Sequence, residues 1–138
     1  MLIVDNRKIL LLIILSAVAG LNSIGCATKQ GMINVNSGKY ELNIRKSGSS
    51  KDPVIYGRLM EYKTKDTIFG GIIKIDHKAI YKTDAIGKFE FPTKAGKHII
   101  TGGRIGYYWV NSKTINAIIG DTIQIDLYLK QDTTPLVD

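Results

Sequence analysis

Few side chains in this chain have the chemistry of metal ligands. The sequence contains two histidines, His77 and His98, and a single cysteine, Cys26. A zinc site takes three or four ligands from these residue types, and the neighbours Asp76 and His77 alone make a weak pair. We therefore expect both histidines at ordinary strand positions, with no bound metal and no cofactor.

The carboxylates of the chain do not form a recognisable calcium-binding or catalytic motif either. Asp84, Asp121 and Asp126 carry oxygen ligands of the kind that calcium prefers, but they are far apart, and residues 84–87 lack the ligand density of an EF-hand loop. The order of the residues does not argue for an assembled Ser-His-Asp nucleophile either. The sequence therefore predicts a protein that is not an enzyme, with a small hydrolase as an alternative.

An aromatic cluster is the strongest candidate for binding. Tyr107, Tyr108 and Trp109 come shortly after Gly-Gly-Arg, in which the arginine is Arg104, with two residues between. In a strand, Tyr107 and Trp109 would share one face and Tyr108 would take the other. One interpretation is that one face fills the core. The other is that an exposed ring and Arg104 bind an envelope protein or a glycan, because aromatic and arginine residues dominate binding hot spots.

The start of the chain has the layout of an export signal. Arg7 and Lys8 precede an apolar run at residues 9–19, which matches the apolar region of a signal peptide and is shorter than a membrane-spanning helix. The charges before the run follow the positive-inside rule, so we expect the folded part outside the cytoplasm. Two alternatives are a segment retained as an uncleaved membrane anchor and an ordinary signal peptide followed by an incidental cysteine.

Residues 23–26, Ser-Ile-Gly-Cys, resemble the lipobox of bacterial lipoproteins. The resemblance implies cleavage before Cys26 and attachment of acyl chains such as palmitate to its sulfur and its freed amine, and several chains together anchor a protein firmly. Ala27, where an Asp would imply retention in the inner membrane, implies the outer membrane. The following Thr-Lys-Gln is not acidic, which implies a protein of the bacterial cell envelope that faces the periplasm.

The charge of the chain is positive but dispersed. The formal net charge is +7, and the lysines form no long basic block. This pattern is typical of solvated lysines on strands and turns, and it could also attract anionic lipid or another acidic polymer of the envelope. We expect no nucleic acid partner, because an exported and anchored protein rarely meets one. With a single cysteine, no internal disulfide can form.

The remaining chain divides into a flexible part and a folded part. Residues 26–53 are expected to be a tether, because its end is rich in serine and glycine, and one short strand or hairpin could form within it. From residue 54 onward, short alternating segments are separated by turn residues. We predict an all-β domain at residues 54–130, an antiparallel Greek-key-type β-sandwich of about seven strands. It follows the signal segment at residues 1–25 and precedes a tail at residues 131–138.

The clearest strand is the last one. Its apolar residues occupy every second position and should share one buried face; they are Ile123, Ile125, Leu127 and Leu129. Residues 88–91, Lys-Phe-Glu-Phe, alternate in the same way and end at a proline. Between two such strands, the Asp84 side chain can accept hydrogen bonds from backbone amides ahead of it, and Gly87 can take a positive φ. These two residues are predicted to build a structural turn.

These motifs together resemble the carboxypeptidase regulatory-like domain, a small transthyretin-like β-sandwich of bacterial envelope proteins. The similarity covers residues 54–129. It rests on six segments in order: residues 55–59, 71–75, 83–89 (Thr-Asp-x-x-Gly-x-Phe), 95–99, 105–107 and 123–129. The resemblance implies a domain without catalysis, in which Asp84 and Gly87 form a turn while Phe89 and Tyr107 pack.

The function expected from this combination is a membrane-anchored envelope lipoprotein that binds a partner or supports structure. An alternative is an accessory subunit of an outer-membrane uptake or secretion complex.

Overall fold

The computed structural model describes residues 28–135, so Cys26 and the signal segment lie outside the described residues. In this range the chain is built from β-strands and contains no helix, which confirms the prediction of an all-β fold. Accordingly, no helix between residues 28 and 135 has the length and apolar character to cross a bilayer. The strands are β1 (Thr28–Val35), β2 (Gly38–Lys46), β3 (Val54–Glu61), β4 (Ile72–Ile75), β5 (Ala79–Lys82), β6 (Lys88–Pro92), β7 (Gly96–His98), β8 (Ile100–Gly103), β9 (Val110–Asn111), β10 (Ile115–Ala117) and β11 (Asp121–Leu129).

These strands form three sheets. The largest has five strands in the order β1-β2-β11-β3-β6, a second has four in the order β5-β4-β8-β9, and β10 pairs with β7. Eleven strands in residues 28–135 exceed the seven expected. The excess comes from the hairpin β1–β2 and from short strands such as β10, which is only three residues long, too short for its alternation to stand out in the sequence.

The last strand is the centre of the molecule. β11 pairs with β2 on one side and with β3 on the other. All four residues predicted to share its buried face are 0% exposed, which confirms that prediction. Phe89 and Phe91 of β6 are also buried while Glu90 between them is exposed. The core therefore consists of the apolar face of β11 and its neighbours, together with apolar residues of β4, β8 and β9.

The segment predicted as a tether contains the hairpin that the sequence allowed, and this hairpin is longer than expected. Residues 28–46 form the hairpin β1–β2, and β2 pairs with β11 along its whole length, from Lys46 opposite Asp121 to Gly38 opposite Leu129. Tyr40 is 1% exposed and belongs to the core. Between β2 and β3, the Ser47 hydroxyl donates to the carbonyl of Gly120. The serine- and glycine-rich segment is thus a connection packed against another turn.

The pairing of β3 with β11 is parallel, whereas the sequence predicted an antiparallel fold. The ladder is interrupted at Gly57, where a Cβ atom would lie 1.7 Å from the carbonyl oxygen of Ile125. At this point the Asp126 carboxylate accepts the backbone N–H of Arg58, at 3.0 Å. The Asp126 side chain therefore takes the place of a backbone acceptor at the point where the ladder is interrupted.

Candidate functional site

Three lysines and two tyrosines converge on the five-stranded sheet. We call this group the tyrosine–lysine surface; its members are Lys39, Tyr62, Lys65, Tyr128 and Lys130. The ammonium nitrogen of Lys39 lies 5.3 Å from the centre of the Tyr62 ring and 4.9 Å from that of Tyr128. Lys65 lies 5.1 Å and 4.8 Å from the same two rings, and Lys130 lies 4.9 Å from Tyr62. These distances are within the range of cation–π attraction.

The strand register brings these residues together. Lys39 of β2 is directly opposite Tyr128 of β11, and Tyr128 is level with Met60 of β3. Tyr62 follows two residues later, and its N–H donates to the carbonyl of Leu129. Because side chains two residues apart on a strand point to the same side, Tyr62 and Lys130 reach the face that Tyr128 and Lys39 occupy.

The turn after β3 positions Lys65. Glu61 is a largely buried residue, and its carboxylate accepts the backbone N–H groups of Lys63 and Thr64, at 3.3 Å and 2.7 Å. The hydrogen bonds from Thr64, its side chain first, lower the pKa of the Glu61 carboxyl. Lys65 itself has a φ of 64°, a left-handed conformation that is unfavourable for a residue with a side chain. The turn thus presents Lys65 at some conformational cost.

The tyrosine–lysine surface carries three ammonium groups and has the carboxylates of Glu61 and Glu41 nearby. Within residues 28–135, no carboxylate forms an ion pair with Lys39, Lys65 or Lys130. Interaction with the neighbouring Lys39 and desolvation both lower the pKa of the Lys65 ammonium. The ammonium groups instead donate to backbone carbonyls, Lys65 to Tyr62 at 2.6 Å and Lys130 to Asn36 at 3.4 Å. An anion placed between them would relieve this like-charge repulsion.

A small cavity extends the surface toward the predicted aromatic cluster. It has a volume of about 250 Å³, and its lining includes Glu61 beside Tyr62, Lys63, Tyr108 and Lys130. The Tyr108 N–H donates to the Lys130 carbonyl at 2.9 Å. The cavity therefore joins Tyr108, one of the residues predicted to bind a partner, to the tyrosine–lysine surface.

The other members of the predicted cluster point elsewhere. Residues 107–109 do not form a strand, because the positive φ of Gly106 turns the chain and only Tyr107 makes a single bridge, to Gln131. Tyr107 is partly buried and packs on the core, and Arg104 is half-buried. Trp109 is 39% exposed, lies over Gly103, and has the Lys74 ammonium 4.6 Å from its ring centre. Thus Trp109 lies against the four-stranded sheet, whereas Tyr108 lies with Tyr62.

A larger groove lies on the same sheet near β6. Its volume is about 620 Å³, and it is lined by both basic and acidic side chains, among them Arg58, Lys88, Glu90 and Asp126. Arg58 and Asp126 lie 4.0 Å apart, and Asp126 also accepts a backbone N–H. No histidine, serine or cysteine is among its lining residues. Its charges are balanced, so it attracts a charged ligand less strongly than the tyrosine–lysine surface does.

The predicted turn residues lie at one edge of that groove. Asp84 accepts the N–H groups of Ile86 and Lys88 through one carboxylate oxygen, at 3.0 Å and 2.9 Å. Gly87 has a φ of 74° and its N–H donates to the Asp84 carbonyl. Both residues therefore act on the backbone and take no part in the tyrosine–lysine surface.

An ion pair that the sequence analysis missed joins Asp76 and His98. Nδ1 of His98 lies 2.7 Å from Asp76 Oδ2, and Nε2 lies 2.6 Å from the carbonyl oxygen of Lys94. Both partners are acceptors, so the two hydrogen bonds together require the doubly protonated ring. Desolvation lowers the pKa of His98, but the bonds to Asp76 and Lys94 outweigh it and the pKa is raised.

The predicted lipidation residue, Cys26, lies outside the described residues. Among residues 28–135, no three metal-ligating side chains lie close enough to hold an ion. No local pattern in the sequence indicates Lys39 or Tyr62, because their proximity to Tyr128 depends on strand pairing over a long sequence separation. The only sequence signal was the alternation that placed Tyr128 on the face of β11 opposite to its buried residues.

No protein-family model matches the chain, and no curated protein is significantly similar to it.

Proposed function

We propose that this protein is a non-catalytic, lipid-anchored protein of the bacterial envelope, and that it binds an anionic partner at the tyrosine–lysine surface. The observation that carries the binding proposal is the convergence of Lys39, Lys65 and Lys130 on two rings, with distances of 4.8–5.3 Å. Ammonium groups bind phosphate, sulfate or carboxylate groups, and tyrosine rings stack on the apolar faces of sugars. An acidic glycan of the envelope combines both chemistries.

The proposed anchor is an acylated Cys26 that follows a cleaved signal at residues 1–25, and the proposed location is the periplasmic side of the outer membrane. Its support is the sequence alone, an apolar run at residues 9–19 followed by Ser-Ile-Gly-Cys. An anchored protein has no need of a membrane-spanning helix in its folded part.

We also propose that the five-stranded and four-stranded sheets are the two layers of a transthyretin-like β-sandwich. Support comes from contacts between them at Gly102 of β8. A Cβ atom there would lie 2.6 Å from a methyl carbon of Leu127 in β11 and 3.0 Å from one of Leu59 in β3. A Greek-key topology for this chain must include the parallel pairing of β3 with β11.

The test of binding uses the full-length protein and two anionic probes, dextran sulfate and inorganic polyphosphate, with uncharged dextran as the control ligand. The triple variant Lys39→Gln/Lys65→Gln/Lys130→Gln should bind the anionic probes about tenfold or more weakly, since it loses three charge contacts of roughly 0.5–1 kcal/mol each.

The matched control is Lys78→Gln/Lys82→Gln/Lys113→Gln, which changes the net charge equally at exposed lysines outside the surface. It should change the affinity less than twofold or so, because dispersed surface charges contribute weakly. Equal losses in both triple variants would refute a localised site and leave general electrostatic attraction.

A second candidate function is an accessory subunit that docks on a larger envelope protein. Three loops carry exposed apolar residues, Phe69 at 60%, Ile86 at 52% and Ile105 at 98%. Ile72 pairs with both Lys82 and Gly103, so these loops leave the four-stranded sheet at the same end. If a stoichiometric partner co-purifies with the protein, Ile86→Ser/Ile105→Ser should abolish the association, and its persistence would count against this docking surface.

A further inference from the structure

The start of β1 fixes which end of the molecule an N-terminal anchor can reach. β1 begins at Thr28, two positions after Cys26, so the Cα atoms of these two residues can be no more than about 7 Å apart. Thr28 is opposite Arg45 of β2, and Arg45 is opposite Thr122 of β11. An anchor on Cys26 therefore joins the sheet at the end where β2 finishes and β11 begins.

Two adjacent isoleucines are displayed at this end. Ile118 is 49% exposed and Ile119 is 44% exposed, in the turn that leads into β11. The turn is held firmly. The buried Asp121 carboxylate accepts the Ile118 N–H at 2.9 Å, the Asp121 N–H donates to the Ile118 carbonyl at 2.9 Å, and the Gly120 N–H donates to Lys51 at 2.8 Å. The apolar side chains thus project from a rigid support.

The charge around this turn is positive. Arg45, Lys51 and Lys97 are exposed, and Lys97 is opposite Asn116, two residues before Ile118. The nearby carboxylates are already engaged, Asp121 with Lys46 at 2.8 Å and Asp52 with Lys94 at 3.3 Å. Among the described residues, these three cations form no ion pair. Exposed apolar residues beside such cations complement a membrane surface with anionic headgroups.

We propose that the Ile118–Ile119 turn rests on the membrane that holds Cys26, with its isoleucines among anionic lipid headgroups and its basic neighbours around them. This inference rests on the proposed membrane anchor. Because β11 is nine residues long and rises by roughly 3.3 Å per residue, the tyrosine–lysine surface at its other end lies some distance above the bilayer. Its ligand is then a molecule of the surrounding space and not the headgroups of the anchoring membrane.

The test measures the depth of labels at the two ends. Full-length Ile119→Cys and, as the matched control, Ile105→Cys are extracted from membranes, labelled with an environment-sensitive fluorophore and reconstituted into phosphatidylglycerol vesicles that contain a lipid-linked quencher. The label at position 119 should shift to the blue and be quenched, while the label at position 105 should stay unquenched. Replacing phosphatidylglycerol with phosphatidylcholine should reduce the quenching at position 119.

Quenching at position 105, or equal accessibility of the two labels to the quencher, would overturn the proposed orientation. The intact mass of each sample separates this failure from that of the anchor. Acyl chains with an unquenched label at position 119 would refute the orientation and leave the lipoprotein proposal intact. A mass without acyl chains, in a protein that does not float with vesicles, would refute both. A retained apolar segment enters at the same end, so the labels test the orientation in that case too, once Cys26→Ala has removed the second free thiol from both variants.

Discussion

At the scale of single residues, Gly87 shows how one backbone position supports the fold. Its φ is 74°, and a Cβ atom would lie 2.8 Å from the carbonyl oxygen of Leu59. We predict that Gly87→Ala lowers the free energy of unfolding by about 1–3 kcal/mol, because it adds backbone strain and a contact with a rigid atom. Denaturant unfolding is the measurement.

The control for this prediction is Gly31→Ala in β1, where a Cβ atom meets nothing within 4 Å and φ is not in the left-handed region. It should change the stability by less than about 0.5 kcal/mol. Equal stability of both variants would contradict the role of Gly87.

Asp84→Ala should also destabilise the turn, by about 1 kcal/mol, since two backbone N–H groups lose their acceptor.

The His98 pair predicts a dependence of stability on pH. The pKa of His98 is raised in the folded state, so its stabilising contribution is fully present below the pKa of the unfolded chain and is lost as the pH rises through the folded pKa. Desolvation raises the pKa of Asp76, but the hydrogen bonds from His98 and Ile99 outweigh it, so the pKa is lowered overall. The stability that ionised Asp76 contributes to the fold is therefore lost only at acid pH.

We therefore expect the melting temperature to fall as the pH rises through and above neutrality, and His98→Gln to flatten this slope. His77→Asn, at an exposed neighbouring position with a φ of 62° that asparagine tolerates, should keep it. An unchanged slope in His98→Gln would show that another group titrates.

At the scale of the strand, β6 tests the assignment of the core. Phe89 is 5% exposed and its ring centre lies 6.1 Å from that of Phe91. Phe89→Ala should cost about 3–5 kcal/mol of stability, whereas Glu90→Ala, on the exposed side of the same strand, should cost less than about 0.5 kcal/mol. Thermal or denaturant unfolding gives the loss of stability in each variant. Similar losses in the two would contradict the assignment of Phe89 to the buried side of β6.

The hairpin β1–β2 allows a sharper test, which distinguishes a folded element of the domain from a flexible tether. Tyr40 is 1% exposed and its hydroxyl accepts the N–H of Lys113 at 2.9 Å. Tyr40→Ala should destabilise the domain by about 3 kcal/mol or more, and Met32→Ala, at a site that is 47% exposed, should have little effect. A stability unaffected by Tyr40→Ala would mean that residues 28–46 are dispensable, as a tether would be.

The strands that could be predicted from the sequence are those with local alternation. The pattern Lys-Phe-Glu-Phe and the spacing of Ile123, Ile125, Leu127 and Leu129 each specify a buried face without knowledge of the neighbouring strands. Tyr40 and Ile44 belong to a similar alternation, but the serine- and glycine-rich residues after it indicated flexibility. The structure shows a different reason for that composition, since Ser47 and Lys51 bond to Gly120 across a tight connection.

The candidate site was less predictable than the fold. Lys39 and Tyr128 meet only because β2 pairs with β11 in one register, and Lys65 reaches them through the conformation of a turn. Neither fact has a local sequence signature. The prediction from Tyr107, Tyr108 and Trp109 assumed a strand, whereas a turn at Gly106 separates their side chains and leaves Tyr108 alone beside Tyr62.

At the scale of the whole molecule, the proposals describe a polarised domain. The end that carries Ile118 and Ile119 is near the chain segment that holds Cys26. The opposite end carries the tyrosine–lysine surface and the exposed Ile105. This arrangement suits a protein that is held at a membrane by one end and meets its partner with the other, and it depends above all on the anchor.

The most direct test of the anchor is the intact mass of the native protein extracted from membranes, measured beside a Cys26→Ala variant. We predict a mass equal to that of residues 26–138 plus acyl chains, and its loss in the variant. A full-length mass would instead make the apolar segment a retained anchor, and a cleaved mass without acyl chains would contradict the lipoprotein account and describe a soluble exported domain.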